Sequence, residues 1–265
     1  MPASGRPRYR ARFADGDRDL EAARRLRAEA FFPADPVAAM AEAAAADDYD
    51  ARCLHVLVEE VATGRLVCCF RALLLESGAG IEGSYAAGFY GLERLRAFPA
   101  PMIELGRFCI RPGLGDPDIL RVAWAELTRL VDRHGVEMLF GCSSFSGTDP
   151  AAHAGAFALL RDRHLGPDRW RPAMKAPRVV DFATLGADGA GSGLAGGSGS
   201  EEGPGGRMRA MAGMPGLLRT YLVMGGWVSD HAVVDAQMNT LHVFTGVELS
   251  RVPAARARRL RADAV

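Results

Sequence analysis

Apolar and polar positions recur along this chain with two periods, and the switches between them mark its elements. Leu54 to Glu60 and Leu66 to Leu75 are strand-like runs on either side of Ala62-Thr63-Gly64-Arg65, which predicts an antiparallel hairpin. Met102 to Ile110 predicts a central strand in which apolar Ile103, Leu105 and Ile110 share the segment with charged Glu104 and Arg107. A Pro/Gly turn, Arg111 to Pro117, follows, and Asp118 opens a helix carrying Ile119, Val122, Ala123, Leu127 and Leu130 at helical spacing. Strand, glycine-containing turn and helix in this order point free backbone N–H groups and a helix dipole at an anion. Met138 to Cys142 predicts the next buried strand, parallel to the first because a helix crosses between them.

The remaining elements are weaker. Tyr9 to Phe13 predicts a short edge strand, and Asp15 to Asp19 caps a helix, Leu20 to Phe31, with Leu26, Ala30 and Phe31 inward and its arginines toward water or a ligand. Pro33 and Pro36 end that helix, and alanine-rich Val37 to Ala46 predicts another. Ser77 to Pro101 predicts an irregular connection, helical only near Gly91 to Ala97. A turn containing Ser143, Ser144 and Ser146 leads to a helix over Pro150 to His164, with Ala156, Phe157 and Leu160 on one face. Val179 to Phe182 predicts a short strand, Pro215 to Met224 a helix ended by Gly225-Gly226, Leu241 to Leu249 a final strand and Val252 to Val265 a basic helix. Residues 185–206 are almost all Gly, Ala and Ser, too poor in apolar area to order themselves, and predict a flexible insertion. The alternation implies one α/β domain over residues 9–252 and a basic tail over 253–265.

Composition narrows the chemistry mainly by exclusion. The 32 basic and 32 acidic residues balance, so no overall field argues for nucleic acid. Five cysteines sit in apolar runs without C-x-x-C spacing, as reduced core thiols of a cytoplasmic protein do, and Cys142 reads as one of them. No metal-ligand spacing exists among the six histidines and five cysteines. No segment reaches the roughly 18 apolar residues of a membrane span, so any membrane contact is peripheral. Arg251, Arg256, Arg258, Arg259 and Arg261 suit docking on an acidic carrier or an anionic lipid surface, and a solvated tail accounts for them as well.

Two charges in an apolar strand are the sharpest chemical signal. Glu104 and Arg107, three apart, point to opposite faces unless a bulge intervenes. They form a structural ion pair or a strand end, or else Glu104 faces a cleft where burial raises its pKa and lets it take a proton from an amine.

ELGRFCI, then LFGCSSFSGTDP, then PGLLRTYLVMGGWVSDHAVVDAQMNTLHVFTG, resembles the bacterial L-ornithine Nα-acyltransferases of the GNAT superfamily, from about Tyr9 to Arg251 apart from the Gly-rich insertion. A more distant likeness is to acyl-homoserine-lactone synthases, on Arg27 with Phe31, Asp47 with Asp50, Arg71, and Glu104 with Arg107. The resemblance implies a GNAT-type fold, a mixed central sheet with helices on both faces and splayed parallel central strands that hold the thioester between them. It implies attack by the α-amine of L-ornithine on a 3-hydroxyacyl-acyl carrier protein, with the thiol of the carrier's 4'-phosphopantetheine leaving and no permanently bound cofactor. Glu104 and Arg107 would be catalytic. Phe108, Cys109, Ile110, Gly113, Gly115 and Ser143 would bind the acyl donor, and a backbone N–H near Phe108 to Ile110 would meet the oxyanion. Arg27, Asp47, Asp50, Arg71, Asp230, Asp235 and Asn239 would bind the acceptor, an acidic residue taking its side-chain ammonium and Arg71 or Arg107 its carboxylate. Turn and cap geometry accounts equally for Asp230, Asp235 and Asn239. The turn also departs from the superfamily pattern: Asp116 and Pro117 weaken its hold on a pyrophosphate, which favours the carrier protein over coenzyme A. The alternatives are a related enzyme with another amine or an acyl-coenzyme A donor, or a non-catalytic carrier- or lipid-binding protein.

Overall fold

The computed structural model describes residues 7–34, 48–185 and 204–264. They form two compact units, one from the described parts of 1–75, 103–137 and 253–265, the other from 76–102 and 138–252. The expected helix over 37–46, Asp47, and residues 186–203 of the Gly-rich stretch lie outside the described residues.

The first unit is built on strands in the order β1 (Tyr9–Phe13), β2 (Leu54–Glu60), β3 (Leu66–Leu75) and β5 (Met102–Ile110). β1 pairs antiparallel with β2, and the β2–β3 hairpin closes on Gly64, whose φ of 69° is open to glycine at little cost. Helix α1 (Asp17–Phe31) covers the face bearing Leu57, Cys69 and Cys109, burying Ala23 and Leu26 there. It begins before the expected Leu20, because Asp19 does not cap it. The Asp19 carboxylate turns back to the Asp15 N–H, 2.8 Å away, and to Arg12, leaving Gly16 at the N-cap.

Val56 and Val58, both fully buried, alternate with Leu57 and so face the other side of the unit's strands. Helix α2 (Pro117–His134) packs against β1, β2 and β3. Its cap is Asp116 rather than the expected Asp118, with Pro117 at the first helical position, where no N–H is needed. Gly135, at φ 59°, ends it. The C-terminal helix α6 (Ala254–Asp263) lies along α2, with Arg261 Nη2 2.9 Å from Asp132 Oδ1.

The second unit orders its strands β6 (Met138–Ser146), β11 (Thr240–Glu248), β10 (His231–Asp235) and β8 (Val179–Asp181), and β9 (Trp227–Val228) also pairs with β11. β6 runs past the expected end at Cys142 because its whole length pairs with β11, from Met138↔Glu248 to Ser146↔Thr240. Ser143, Ser144 and Ser146 therefore stand in a strand and not in a turn: ladder pairing overrides their turn preference. Helix α3 (Ala154–Arg163), preceded by a 3-10 turn over Pro150–His153, buries Phe157 and Leu160 beside Phe182, Leu218 and Leu241. The connection over 76–101 is shaped by 3-10 turns at Gly78–Gly83, Ala86–Gly88 and Glu93–Ala97, and β4 (Tyr90–Gly91) pairs with β7 (Ala173–Met174). Helix α4 (Pro204–Ala212) takes in the last residues of the expected insertion, and α5 (Gly216–Val223) follows.

Candidate active site

In the first unit, packing that buries apolar side chains also buries charge. Arg24 and Arg27 lie one turn apart on α1, Asp50 opens a 3-10 turn at Asp50–Arg52, and on the hairpin His55 and Arg71 are cross-strand partners. Asp50, Arg27, His55 and Arg71 are all buried. Asp50 Oδ1 accepts from Arg27 Nη1 at 2.7 Å and from Arg71 Nη1 at 3.1 Å, and Oδ2 accepts from Arg24 Nε at 3.1 Å. Burial disfavours the charged form of this carboxyl, but Arg27 and Arg24 outweigh it and hold Asp50 far below the usual carboxylate range.

The same contacts set the state of His55. Its Nε2 lies 2.9 Å from the Asp50 carbonyl oxygen, which can only accept, so Nε2 carries the proton. Its Nδ1 lies 2.9 Å from Arg27 Nη2, which can only donate, so Nδ1 is bare and the ring is neutral. Burial, with Arg27 close by, pushes this histidine's pKa down. Arg71 also stacks over the Tyr49 ring, 5.4 Å from its centroid. Two members of this cluster, Arg24 and His55, escape a reading by motif. The available signal was position: His55 shares a strand face with Leu57, and Arg24 precedes Arg27 by three.

Glu104 is 5% exposed on β5. Three residues on, Arg107 has φ 53°, so the strand's regular alternation is interrupted at Arg107. Phe108 stacks on Phe70 of β3 with centroids 5.1 Å apart. Cys109 belongs to the core under α1, its Sγ 3.6 Å from that of Cys69.

The turn after β5 is anchored at both ends. Arg111 gives its backbone N–H to Val67 O at 2.8 Å and its Nε to Leu66 O at 2.9 Å, and its guanidinium pairs with Glu29. Gly113 has φ 81°, and both Gly113 and Gly115 face open space. At the far end Asp116 Oδ1 accepts the Asp118 N–H at 3.0 Å, and Oδ2 accepts from Arg8 Nη1 at 2.7 Å and from Tyr9 at 3.1 Å. This corrects the expectation of free N–H groups at the helix start: Asp116 places its own negative charge there.

In the second unit, Ser143 Oγ accepts from Thr245 Oγ1 at 2.9 Å. Asp235 Oδ1 accepts the Met238 N–H at 2.9 Å, and Asn239 adopts φ 50°, so both shape the β10–β11 turn. Asp230 is partly exposed, with Oδ1 2.8 Å from Nδ1 of the buried His231. Tyr90 donates its hydroxyl to the His242 carbonyl at 2.8 Å and so accepts from His242 Nδ1 at 3.1 Å. Among the described residues no group of three or more His, Cys, Asp or Glu side chains is arranged to hold a metal, and no helix is long and apolar enough to cross a membrane.

Residues 26–125 match the family described as acetyltransferase (GNAT) domain, a span that contains Arg27, Asp50, Arg71, Glu104 and Arg107. The L-ornithine N(alpha)-acyltransferase of Rhodobacter capsulatus is 31% identical over 244 residues, covering 89% of this chain and 88% of its own. That of Brucella abortus is 26% identical over 253 residues, covering 91% and 84%. Among solved structures the AHL synthase LasI is 20% identical over 51% of this chain and 72% of its own, with a TM-score of 0.35, too slight a likeness to carry an argument.

Proposed function

Since this chain belongs to the family of L-ornithine N(alpha)-acyltransferases and is an acyltransferase with a GNAT domain, we propose that it acylates the α-amine of L-ornithine, with a 3-hydroxyacyl-acyl carrier protein as donor. The observation that carries the mechanism is a buried carboxyl group, Glu104, set between apolar Ile103 and Leu105 in β5 of the matched domain. An amine attacks only when neutral, and with a free-solution pKa near about 8 it is partly protonated at neutral pH. Glu104 takes the proton as the nitrogen–carbon bond forms, a backbone N–H of β5 near Phe108 to Ile110 meets the oxyanion, and the carbon–sulfur bond breaks to release the pantetheine thiol. The product would be a lyso-ornithine lipid.

Asp50 has a positioning role in this reading. Its carboxylate is engaged by three guanidinium groups, so it holds Arg71 and Arg27 in place and leaves the acceptor's carboxylate to Arg71 or Arg107. Asp116 at the start of α2 supports a carrier-protein donor, because a coenzyme A pyrophosphate arriving there would meet a like charge.

Purified protein incubated with ornithine and 3-hydroxyacyl-carrier protein should release free carrier thiol. Glu104→Gln should slow that release by about 10²- to 10⁴-fold, the usual weight of general base catalysis, with the melting temperature preserved. Silence with every long-chain carrier or coenzyme A donor would remove the reading. Turnover with a different amine or with coenzyme A donors would redirect it to a sister activity. A lipid extract from cells with and without the gene, searched by mass for an ornithine lipid, is the complementary test.

A further inference from the structure

A cleft of about 700 Å³ opens on the second unit, lined by Arg94, Arg169, Arg171, Asp168, Asp230 and the Pro172-Ala173 edge. None of its arginines belongs to the charge cluster of the first unit. Each is held by a named acceptor. Arg94 Nη1 donates to the Asp168 carbonyl at 2.7 Å, and Arg171 forks onto the Gly166 carbonyl through Nε at 3.0 Å and Nη2 at 2.8 Å. Arg169 Nη2 donates to Glu248 Oε2 at 2.9 Å and its guanidinium lies over the Trp170 ring, 5.2 Å from the centroid. The turn that supplies the Gly166 carbonyl is itself fixed, because a Cβ on Gly166 would come within 2.5 Å of the Trp227 ring.

We propose that this cleft is a binding site for a phosphodiester. A guanidinium has five N–H donors, and the bonds just named leave Nε and Nη2 of Arg94, Nε and Nη1 of Arg169 and Nη1 of Arg171 uncommitted among the described residues. One free fork, Nε and Nη2 of Arg94, with single donors from Arg169 and Arg171 on the same cleft suits a tetrahedral oxyanion better than a two-oxygen carboxylate, and because the three side chains are already held, little side-chain freedom is lost on binding. The charge balance selects within the phosphates. Glu248, paired with Arg169, is paired also with Arg251, whose Nε lies 3.3 Å from Glu248 Oε1, so four guanidinium groups stand against the carboxylates of Asp168, Asp230 and Glu248 and leave one net positive charge, which matches a singly charged diester and disfavours a diphosphate. The cleft lies in the size range of small-molecule sites, far larger than a lone phosphate, so the diester belongs to a larger molecule. Met174, 47% exposed and next to Ala173 on the rim, offers that molecule an apolar neighbour.

Two sources carry this chemistry, a water-soluble phosphodiester and the headgroup of an anionic phospholipid, and titration of the full-length protein at physiological salt separates them. The probes are glycerophosphoglycerol, pyrophosphate, and vesicles of phosphatidylcholine with and without phosphatidylglycerol. Glycerophosphoglycerol should bind more tightly than pyrophosphate. Arg94→Gln, which removes the free fork and one surface bond, should weaken it about tenfold or more without lowering the melting temperature, and Arg171→Lys, which keeps the charge but loses the Nη1 donor of the planar guanidinium, should weaken it by a similar factor with the fold retained by circular dichroism. Binding confined to phosphatidylglycerol vesicles but lost in both variants would support the site and assign it to a lipid headgroup. No binding of the soluble diester together with vesicle binding that ignores both variants would overturn the proposal, as would tighter binding of pyrophosphate or wild-type affinity in Arg171→Lys. None of these readouts uses acyl transfer, so the result stands apart from the proposed reaction.

Discussion

Asp50 shows how much one buried side chain can hold in place. Its two oxygens face three guanidinium groups, two of them on buried side chains. Asp50→Asn would take from the buried Arg27 the carboxylate it is bonded to at 2.7 Å, and breaking such a site from one side costs about 3–5 kcal/mol. Urea unfolding should show a loss of that size, whereas Arg24→Ala, removing a partner whose side chain is 33% exposed, should cost about 1 kcal/mol or less. Equal losses in the two variants would contradict the picture of Asp50 as the hub. At this scale the sequence was informative where charge interrupts an apolar run, as at Arg27, Arg71 and Glu104. It was silent about His55, whose role depends on a carbonyl and a guanidinium brought to its two ring nitrogens from other elements.

At the scale of elements, the second unit turns on an aromatic plate. Trp227 of β9 lies against two glycines: a Cβ on either Gly166 or Gly246 would sit 2.5 Å from its ring. Gly246→Ala should therefore force the indole or strand β11 to move, at the roughly 1–3 kcal/mol typical of overpacking, and lower the melting temperature. An unchanged melting point would mean that the ring has room to shift. Strands were legible in the longer apolar runs, as in β2, β3 and β5. β9 was missed because two residues show no period, and β10 because His231 and Asp235 at its ends, with Asp230 before it, read as polar turn positions until β8 and β11 pair with it. β6 was cut short because its serines resemble a turn until β11 lies beside them.

For the molecule as a whole, acid response follows from the buried histidines before the carboxylates. Burial holds His242 down at about 4, against an ordinary value of 6.5. The unfolded chain thus takes a proton below 6.5 that the folded chain refuses until about 4, so stability is fully present above that window and falls as pH drops through it. The loss from this group alone is on the order of 3 kcal/mol by pH 4. His55, shifted in the same direction, adds to it. Asp19, held down at about 2 chiefly by Arg12, gives up its contribution only below its ordinary range. Unfolding free energies at pH 7 and pH 4.5 should fall less for His242→Gln than for the wild type, and parallel falls would show that this ring does not govern the acid response.

By itself the sequence determined the strands of the first unit, most of the helices, the charged interruption of β5 and the family, because hydrophobic period and motif spacing are local properties that survive without coordinates. Only the tertiary structure decided that Asp50 is committed to three arginines, that Asp116 occupies the start of α2 and that three arginines from two segments share one cleft. Each of these depends on residues distant in sequence meeting at bonding distance, Arg8 and Tyr9 at Asp116 among them, and at the buried Asp50 the low dielectric of the interior also turns proximity into a fixed charge state.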